Sequence, residues 1–304
     1  MFSAPARLTR DGCLCCQPDH PDPRGENLRL IARVLKHYIN AKGGKFAVFL
    51  DFMSLHQKPR STAGDELFGI ALNGLSDWYC HPATNVFKIT QLPSDYPDAF
   101  TFPMGTTPNI AGYVDRGWCF MESSVANMVK DGELVLNISG FTGKTDYMSW
   151  EGPAHECVQG RDAPLSPDAF WQKLQTKSFT SKNADLPTVK SLYETAFNEQ
   201  MKNVVKLDFA LMGWDDEQMH TLCATITFAH ANGALDKLEK LFLSTNAIGD
   251  EGMSALAKAI TPDKDGKGAL APGATVYLGA NNATETGKQA MQEAAKARGL
   301  SVYV

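Results

Sequence analysis

Glu122 is the residue on which chemistry would centre. It lies in Tyr113–Gly140, YVDRGWCFMESSVANMVKDGELVLNISG. That stretch predicts a helix from about Gly117 to Lys130, a turn at Asp131-Gly132 and a buried strand over Leu134–Ile138. On a 3.6-residue helix Trp118, Met121, Val125, Met128 and Val129 form one apolar arc, and Glu122 falls inside it. Ser123, Ser124, Asn127 and Lys130 take the other side. A carboxylate on the inward face is paired, hydrogen-bonded or kept for a reaction, because a lone buried charge is costly. Pairing with a neighbour such as Arg116 and a catalytic role are both consistent with the pattern.

A second set of candidates follows the apolar run Phe46–Leu50, in FAVFLDFMSLHQKPR. Such a run predicts a strand covered on both faces. In open α/β sheets ligands bind beyond the carboxyl ends of the strands, which nominates Asp51, Ser54, His56 and Gln57. An acid in that place also serves as a turn or cap residue. The cluster Cys13-Leu14-Cys15-Cys16 with His20 has no second CxxC or HxxxH pair, so its spacing does not predict a metal site.

The elements that must position these groups read in alternation. Residues 1–26 are rich in Pro, Asp and Arg and are expected to be a flexible lead-in. Asn27–Ala41 predicts an amphipathic helix with Leu28, Ile31, Leu35 and Tyr38 inward, stopped by Gly43-Gly44. Asp65–Tyr79 predicts a second helix, with Leu67, Phe68, Ala71, Leu72 and Leu75 as its apolar positions, and Asn85–Thr90 a second strand. Leu92–Asn109 is long and aperiodic and reads as a lid-like insertion over the site. Three apolar strands separated by helices argue for a parallel sheet with helices on both faces, over residues 27–145. Residues 146–203 read as a helical connector: Trp150-Glu151-Gly152-Pro153 breaks any element, Ser166-Pro167-Asp168 starts a helix, and Thr188–Gln200 forms another.

From residue 204 to 304 the sequence repeats. VVKLDFALMGWDDEQMHTLCATI, LEKLFLSTNAIGDEGMSALAKAI and ATVYLGANNATETGKQAMQEAA align with Leu207, Leu241 and Val276 equivalent, at steps of 34 and 35 residues. Leu238, Leu241, Leu243, Asn246 and Ile248 fit L-x-x-L-x-L-x-x-N-x-I/L, and Asn281 matches Asn246, while Met212 stands there in the first copy. Each unit is predicted to be a strand followed by a helix, three units forming a short β-α solenoid of the leucine-rich-repeat kind.

The chain has 304 residues, 43% hydrophobic and 21% charged, with a net charge of −5. The acidic balance and lack of a basic run give a nucleic-acid partner no electrostatic support. No apolar stretch is long enough to span a membrane, and the first residues lack the apolar core of a signal peptide. Seven scattered cysteines, an odd number, suggest reduced thiols and a cytoplasmic location.

The pattern W-C-x-x-E at Trp118–Glu122, on a helix before a buried strand, resembles the third helix and fourth strand of a TIR (Toll/interleukin-receptor/resistance) domain. FAVFLDF, ending in Asp51, is similar to that family's second strand. Asp51 to Gln57 and Arg116-Gly117-Trp118 to Glu122 are also similar to the TIR-like heterokaryon-incompatibility domains of fungi. The resemblance covers roughly residues 27–140 and implies a flavodoxin-like α/β fold. In enzymatic members the glutamate at this helix position cleaves the nicotinamide–ribose bond of NAD. That role would fall on Glu122, with Trp118 and Asp51 near the pocket. The family begins with a central strand, for which residues 1–26 offer no good candidate.

Two main functions stay open on these grounds, and a third beside them. One is a signalling or scaffold protein that binds a protein partner through its repeat surface and self-associates through its α/β module, with no cofactor. The other is an NAD glycohydrolase, NAD being substrate, in which Glu122 stabilises an oxocarbenium-like state. A nucleotide-processing α/β enzyme using Asp51 and Glu122 as a carboxylate pair is a third.

Overall fold

The structure is a computed structural model that describes residues 22, 24–50, 54–56, 59–93, 95–101, 104, 110–143, 149–157, 160–179, 181–262 and 268–304. It is mixed α/β, with parallel sheets. The chain divides into two compact units: Met1–Ser123, Glu133–Val158 and Leu174–Leu192 make the first, and Ser124–Gly132, Gln159–Lys173 and Tyr193–Val304 the second. The region 146–203 is therefore shared between them.

In the first unit, helix α1 (Glu26–Lys42) buries Ile31, Val34 and Tyr38, one stripe at helical spacing, and ends at Gly43, whose left-handed φ of 63° frees its N–H to bond Ile39 O. The single helix expected over Asp65–Tyr79 is two: α2 (Thr62–Asn73) and α3 (Leu75–Cys80), parted at Gly74. Ser61 caps α2, its hydroxyl accepting from Gly64 N at 3.2 Å. Strands β1 (Val86–Lys88) and β2 (Val135–Asn137) pair in parallel, with Val86 opposite Val135 and Phe87 opposite Leu136. Helix α4 (Gly117–Val129), of which the residues from Ser124 on belong to the second unit, precedes β2, and α5 (Glu151–Cys157) follows it.

The core of this unit gathers Tyr38, Phe87, Leu136, Ile138, Phe141 and Trp150. Tyr38 meets Trp150 edge-on, with ring centroids 4.8 Å apart at 87°. Such a pair adds about 0.5–1.5 kcal/mol beyond its buried area. The Tyr38 hydroxyl, driven inward with its ring, accepts from Asn85 Nδ2 at 3.0 Å.

Three expectations are corrected here. Phe46–Leu50 is not a strand: Phe46 and Leu50 rest against the core, but none of the five is fully buried and the run joins no ladder. An apolar run expresses a demand for cover, and it names no strand to pair with. Trp150–Pro153 does not break the chain, because α5 begins at Glu151 and Pro153 sits in its first turn, where a missing N–H costs no helical bond. The helix expected from Thr188 starts earlier, as α7 (Lys182–Asn203), with Pro187 inside it.

In the second unit, helix α6 (Pro167–Leu174) carries Pro167 in its first turn, and Ser166 Oγ accepts from Ala169 N at 3.3 Å. Beyond α7 run β3 (Lys206–Asp208), α8 (Asp216–Ala231), β4 (Lys240–Phe242), α9 (Asp250–Ile260), β5 (Thr275–Tyr277), α10 (Glu285–Arg298) and β6 (Ser301–Tyr303). The four strands form one parallel sheet in sequence order. Leu207 lies opposite Leu241 and Leu241 opposite Val276, the equivalence found in the sequence, while β6 adds a fourth strand that the three-unit reading did not contain. Helix α9 packs against both α8 and α10.

Candidate functional sites

Helix α4 is held at its entry by backbone bonds to a neighbouring segment. Gly117 N donates to Ser178 O at 2.9 Å and Ser178 N to Asp115 O at 2.7 Å. Gly117 is required for packing, since a Cβ there would fall 1.8 Å from the Phe179 ring. Arg116 is buried and its Nε donates to Ala111 O at 2.9 Å.

Glu122 is 7% exposed, as its place in the apolar arc requires. Met121, Val125 and Met128 are buried with it, but Trp118 and Val129 are only half-buried. The polar side of the helix is corrected: Asn127 and Lys130 are also buried, Lys130 at 2% exposure. A helix covered almost all round does not single out one inward carboxylate as its site.

Of the other nominated residues, Trp118 shares α4 with Glu122, one turn earlier. Asp51 and Gln57 lie outside the described residues. Ser54 and His56 are exposed and make local bonds: Ser54 Oγ accepts from Leu50 N at 3.1 Å, and His56 O accepts from Arg60 Nη1 at 2.9 Å. At the carboxyl ends of β1 and β2, where a ligand was expected, the polar groups satisfy one another. Ser139 Oγ accepts from Thr90 N at 2.8 Å, and Asn137 Nδ2 donates to Thr90 Oγ1 at 2.8 Å.

The described front of the 92–109 insertion is packed rather than lid-like. Leu92, Tyr96 and Phe100 lean on the core, Arg24 pairs with Asp95 and bonds Ala99 O at 2.7 Å, and its guanidinium lies 4.5 Å from the Phe100 ring centre. That arginine ties the end of the lead-in to the loop, and it holds the Asp95 carboxyl below its usual pKa through their hydrogen bond. Among the described residues no group of three His, Cys, Asp or Glu is placed to hold a metal ion. The Cys13–Cys16 cluster and His20 lie outside them.

A different surface emerges from the second unit. Strand alternation sends Leu207, Leu241, Val276 and Val302 to one face. The opposite face carries two rows across the strands: Lys206, Lys240, Thr275 and Ser301, then Asp208, Phe242, Tyr277 and Tyr303. Phe242 and Tyr277 stack at 4.5 Å and 7°, Tyr277 and Tyr303 at 5.2 Å and 10°. These rings are only partly covered, with Tyr303 60% exposed. Lys206 bonds Asp131 at 2.8 Å, which raises its pKa, whereas Lys240 is exposed beside Phe242. Sequence reasoning missed this row, although Phe242 and Tyr277 recur at the repeat spacing.

No known family model matches the chain, and no curated protein matches it. Among the described residues no helix is long and apolar enough to cross a membrane.

Proposed function

We propose that the chain is a non-catalytic scaffold or signalling protein, in which a TIR-like module over residues 27–145 is joined to a leucine-rich-repeat-like unit that binds a protein partner. The observation that carries this reading is the row Phe242–Tyr277–Tyr303, a partly exposed aromatic stack on an otherwise satisfied sheet, with Lys240 at its side. Aromatic side chains are the residues that anchor protein interfaces, because they bring large area at low entropy cost. The TIR-like reading is supported by W-C-x-x-E lying on α4 immediately before β2. Burial of Glu122 favours a structural carboxylate over one that meets NAD. The four described cysteines are buried and in no disulfide, in keeping with an intracellular site.

Two measurements test it. Purified protein incubated with NAD is expected to release no nicotinamide; release that Glu122→Gln abolishes would establish the glycohydrolase instead. A photo-crosslinker in place of Ser244, next to the aromatic row, is expected to capture one discrete protein in cells. One in place of Lys258, exposed on helix α9, is not. Tyr277→Ala should abolish that capture, and capture that persists would sink the assignment of the face.

A further inference from the structure

Helix α2 is an apolar helix with little of its surface buried. Its sequence, TAGDELFGIALN, holds four large apolar residues and two alanines, yet Gly64 is its only buried residue. Phe68, Ala71 and Leu72 are half-covered and mark the side that rests on the protein, with the Arg60 guanidinium 3.9 Å from the Phe68 ring centre. The opposite side carries Ala63, Leu67 and Ile70 at i, i+4 and i+7, a single stripe, with Leu67 52% and Ile70 70% exposed. Burying two such side chains is worth about 1.5–3 kcal/mol each. Beside that stripe Thr62, Glu66 and Asn73 are exposed on the same helix, and Asp77 is an exposed acid on α3, three residues past Gly74.

The charges of the rim decide what fits. Asp65 is already paired with Arg60 at 2.7 Å. Glu66 and Asp77 have no ion-pair partner among the described residues. A second copy of α2 and α3 would bring the same two acids and no base, since neither helix contains Lys or Arg, gathering like charges at the rim. A partner helix with an apolar stripe and Lys or Arg beside it would oppose both acids with bases while covering Leu67 and Ile70. We infer that the exposed face of α2 is a docking site for a basic amphipathic helix of another protein. This surface is independent of the repeat sheet and of the role given to it above.

The probe is a labelled eighteen-residue synthetic helix with a leucine stripe flanked by lysines, titrated with the full chain and followed by fluorescence anisotropy. A second peptide with glutamates in place of the lysines serves as comparison. The basic helix is expected to bind, more weakly as salt rises, and the acidic one not to bind. Leu67→Asp with Ile70→Asp should abolish binding without moving the melting temperature, because neither side chain is buried. Glu66→Lys should weaken the basic helix about three- to tenfold, the size of one or two rim charge pairs. Equal binding of both peptides, binding indifferent to the Leu67 and Ile70 changes, or no binding of the basic helix up to about 1 mM each overturns the proposal. So does a dimer, seen by light scattering, that Leu67→Asp dissociates, since a second copy would then be the occupant.

Discussion

Asn246 and Asn281 share one acceptor. The Nδ2 of each donates to Leu243 O at 2.9 Å, so a single carbonyl joins two successive turns of the second unit. Asn246 also donates to Phe209 O at 2.9 Å, and its Oδ1 accepts from Met212 N at 2.9 Å and Trp214 N at 3.1 Å. Asn281 donates to Leu278 O at 2.7 Å and accepts from Ile248 N at 3.1 Å. Each asparagine replaces hydrogen bonds that a turning strand cannot make with its neighbour. Asn246→Ala leaves three backbone groups, Phe209 O, Met212 N and Trp214 N, without partners, while Leu243 O keeps Asn281, and a loss of about 1–3 kcal/mol is expected. Asn281→Ala, with fewer bonds and more exposure, should cost less. Urea denaturation of both variants checks the order, and a change at Asn246 within about 0.5 kcal/mol, the ordinary surface value, would contradict the ladder.

The helices carry a parallel ladder made of carboxylates and glycines. Asp216 Oδ1 accepts from Gly249 N at 2.7 Å and Gly252 N at 3.0 Å; Asp250 Oδ1 accepts from Thr284 N and Oδ2 from Thr284 Oγ1, both at 2.7 Å. Each acid thus reaches the start of the next helix, where the dipole and free N–H groups favour it. Room for it exists because Gly252 and Gly287 lack a Cβ, which would fall 2.5 Å from Asp216 Oδ1 and 2.4 Å from Asp250 Oδ1 respectively. Gly→Ala inside a helix ordinarily gains up to about 1 kcal/mol. At Gly252 and Gly287 it should instead destabilise, by about 1–3 kcal/mol. A rise in melting temperature for Gly287→Ala would show that the close approach is absent.

The same carboxylate makes a prediction about pH. The Thr284 hydroxyl holds the Asp250 carboxyl below its usual pKa, against a smaller opposing effect of desolvation. The folded value lies below the unfolded one, so the contribution is fully present above about pH 4 and is lost as pH falls through the folded value. Asp250→Asn should flatten the acid limb of the stability profile while leaving its neutral and alkaline parts parallel to wild type. An unchanged acid limb would remove Asp250 from the account.

Legibility in the sequence follows from how much each pattern constrains. Leu207, Leu241 and Val276 could be placed side by side before any coordinates, because self-similarity supplies both the element and its neighbour. Phe46–Leu50 could not, since an apolar run identifies no partner strand and the described sheet of that unit is only β1 with β2. Periodicity put Glu122 inside, and the structure buries it. The same periodicity put Asn127 and Lys130 outside, because it takes polarity for exposure and does not see cover arriving from distant segments. The row Phe242, Tyr277 and Tyr303 was invisible for a related reason: alternating positions of a half-buried sheet are read as solvent-facing, so their stacking emerges only once the register is known.

Arg161 illustrates cover of that kind. Its guanidinium is buried, bonded to the carbonyls of Asn127 at 3.2 Å, of Lys130 and of Asp208, and centred 5.0 Å from the Phe209 ring. Trp214 Nε1 donates to its carbonyl at 2.5 Å. Burial lowers its pKa to about 10, partly offset by Asp131 and Asp208, so it stays charged at neutral pH. Lysine keeps the charge but has no planar fork to span three carbonyls. Arg161→Lys should therefore cost about 2 kcal/mol or more, as each orphaned buried carbonyl loses about 1–3 kcal/mol, and Arg161→Met at least as much. If Arg161→Lys unfolds at the wild-type denaturant concentration, the guanidinium does not hold these strands and helix ends together.

The cysteines offer a check on burial that is independent of stability. Cys80, Cys119, Cys157 and Cys223 are buried and in no disulfide. Desolvation pushes the Cys157 thiol up to about 11, with Glu156 adding to it, and the Cys223 thiol up to about 12. Reaction with a disulfide reagent needs thiolate and access, and these two sites offer little of either at pH 8. Of the seven cysteines, at most three should react on mixing with native protein. The remaining four should react only as fast as the chain unfolds, so that their rate rises with denaturant along the unfolding curve. Mass spectrometry of the early adducts identifies the sites. A label on Cys157 or Cys223 within the fast phase would mean that the helix carrying it, α5 or α8, is not packed as described, and would return those thiols to consideration as reactive groups.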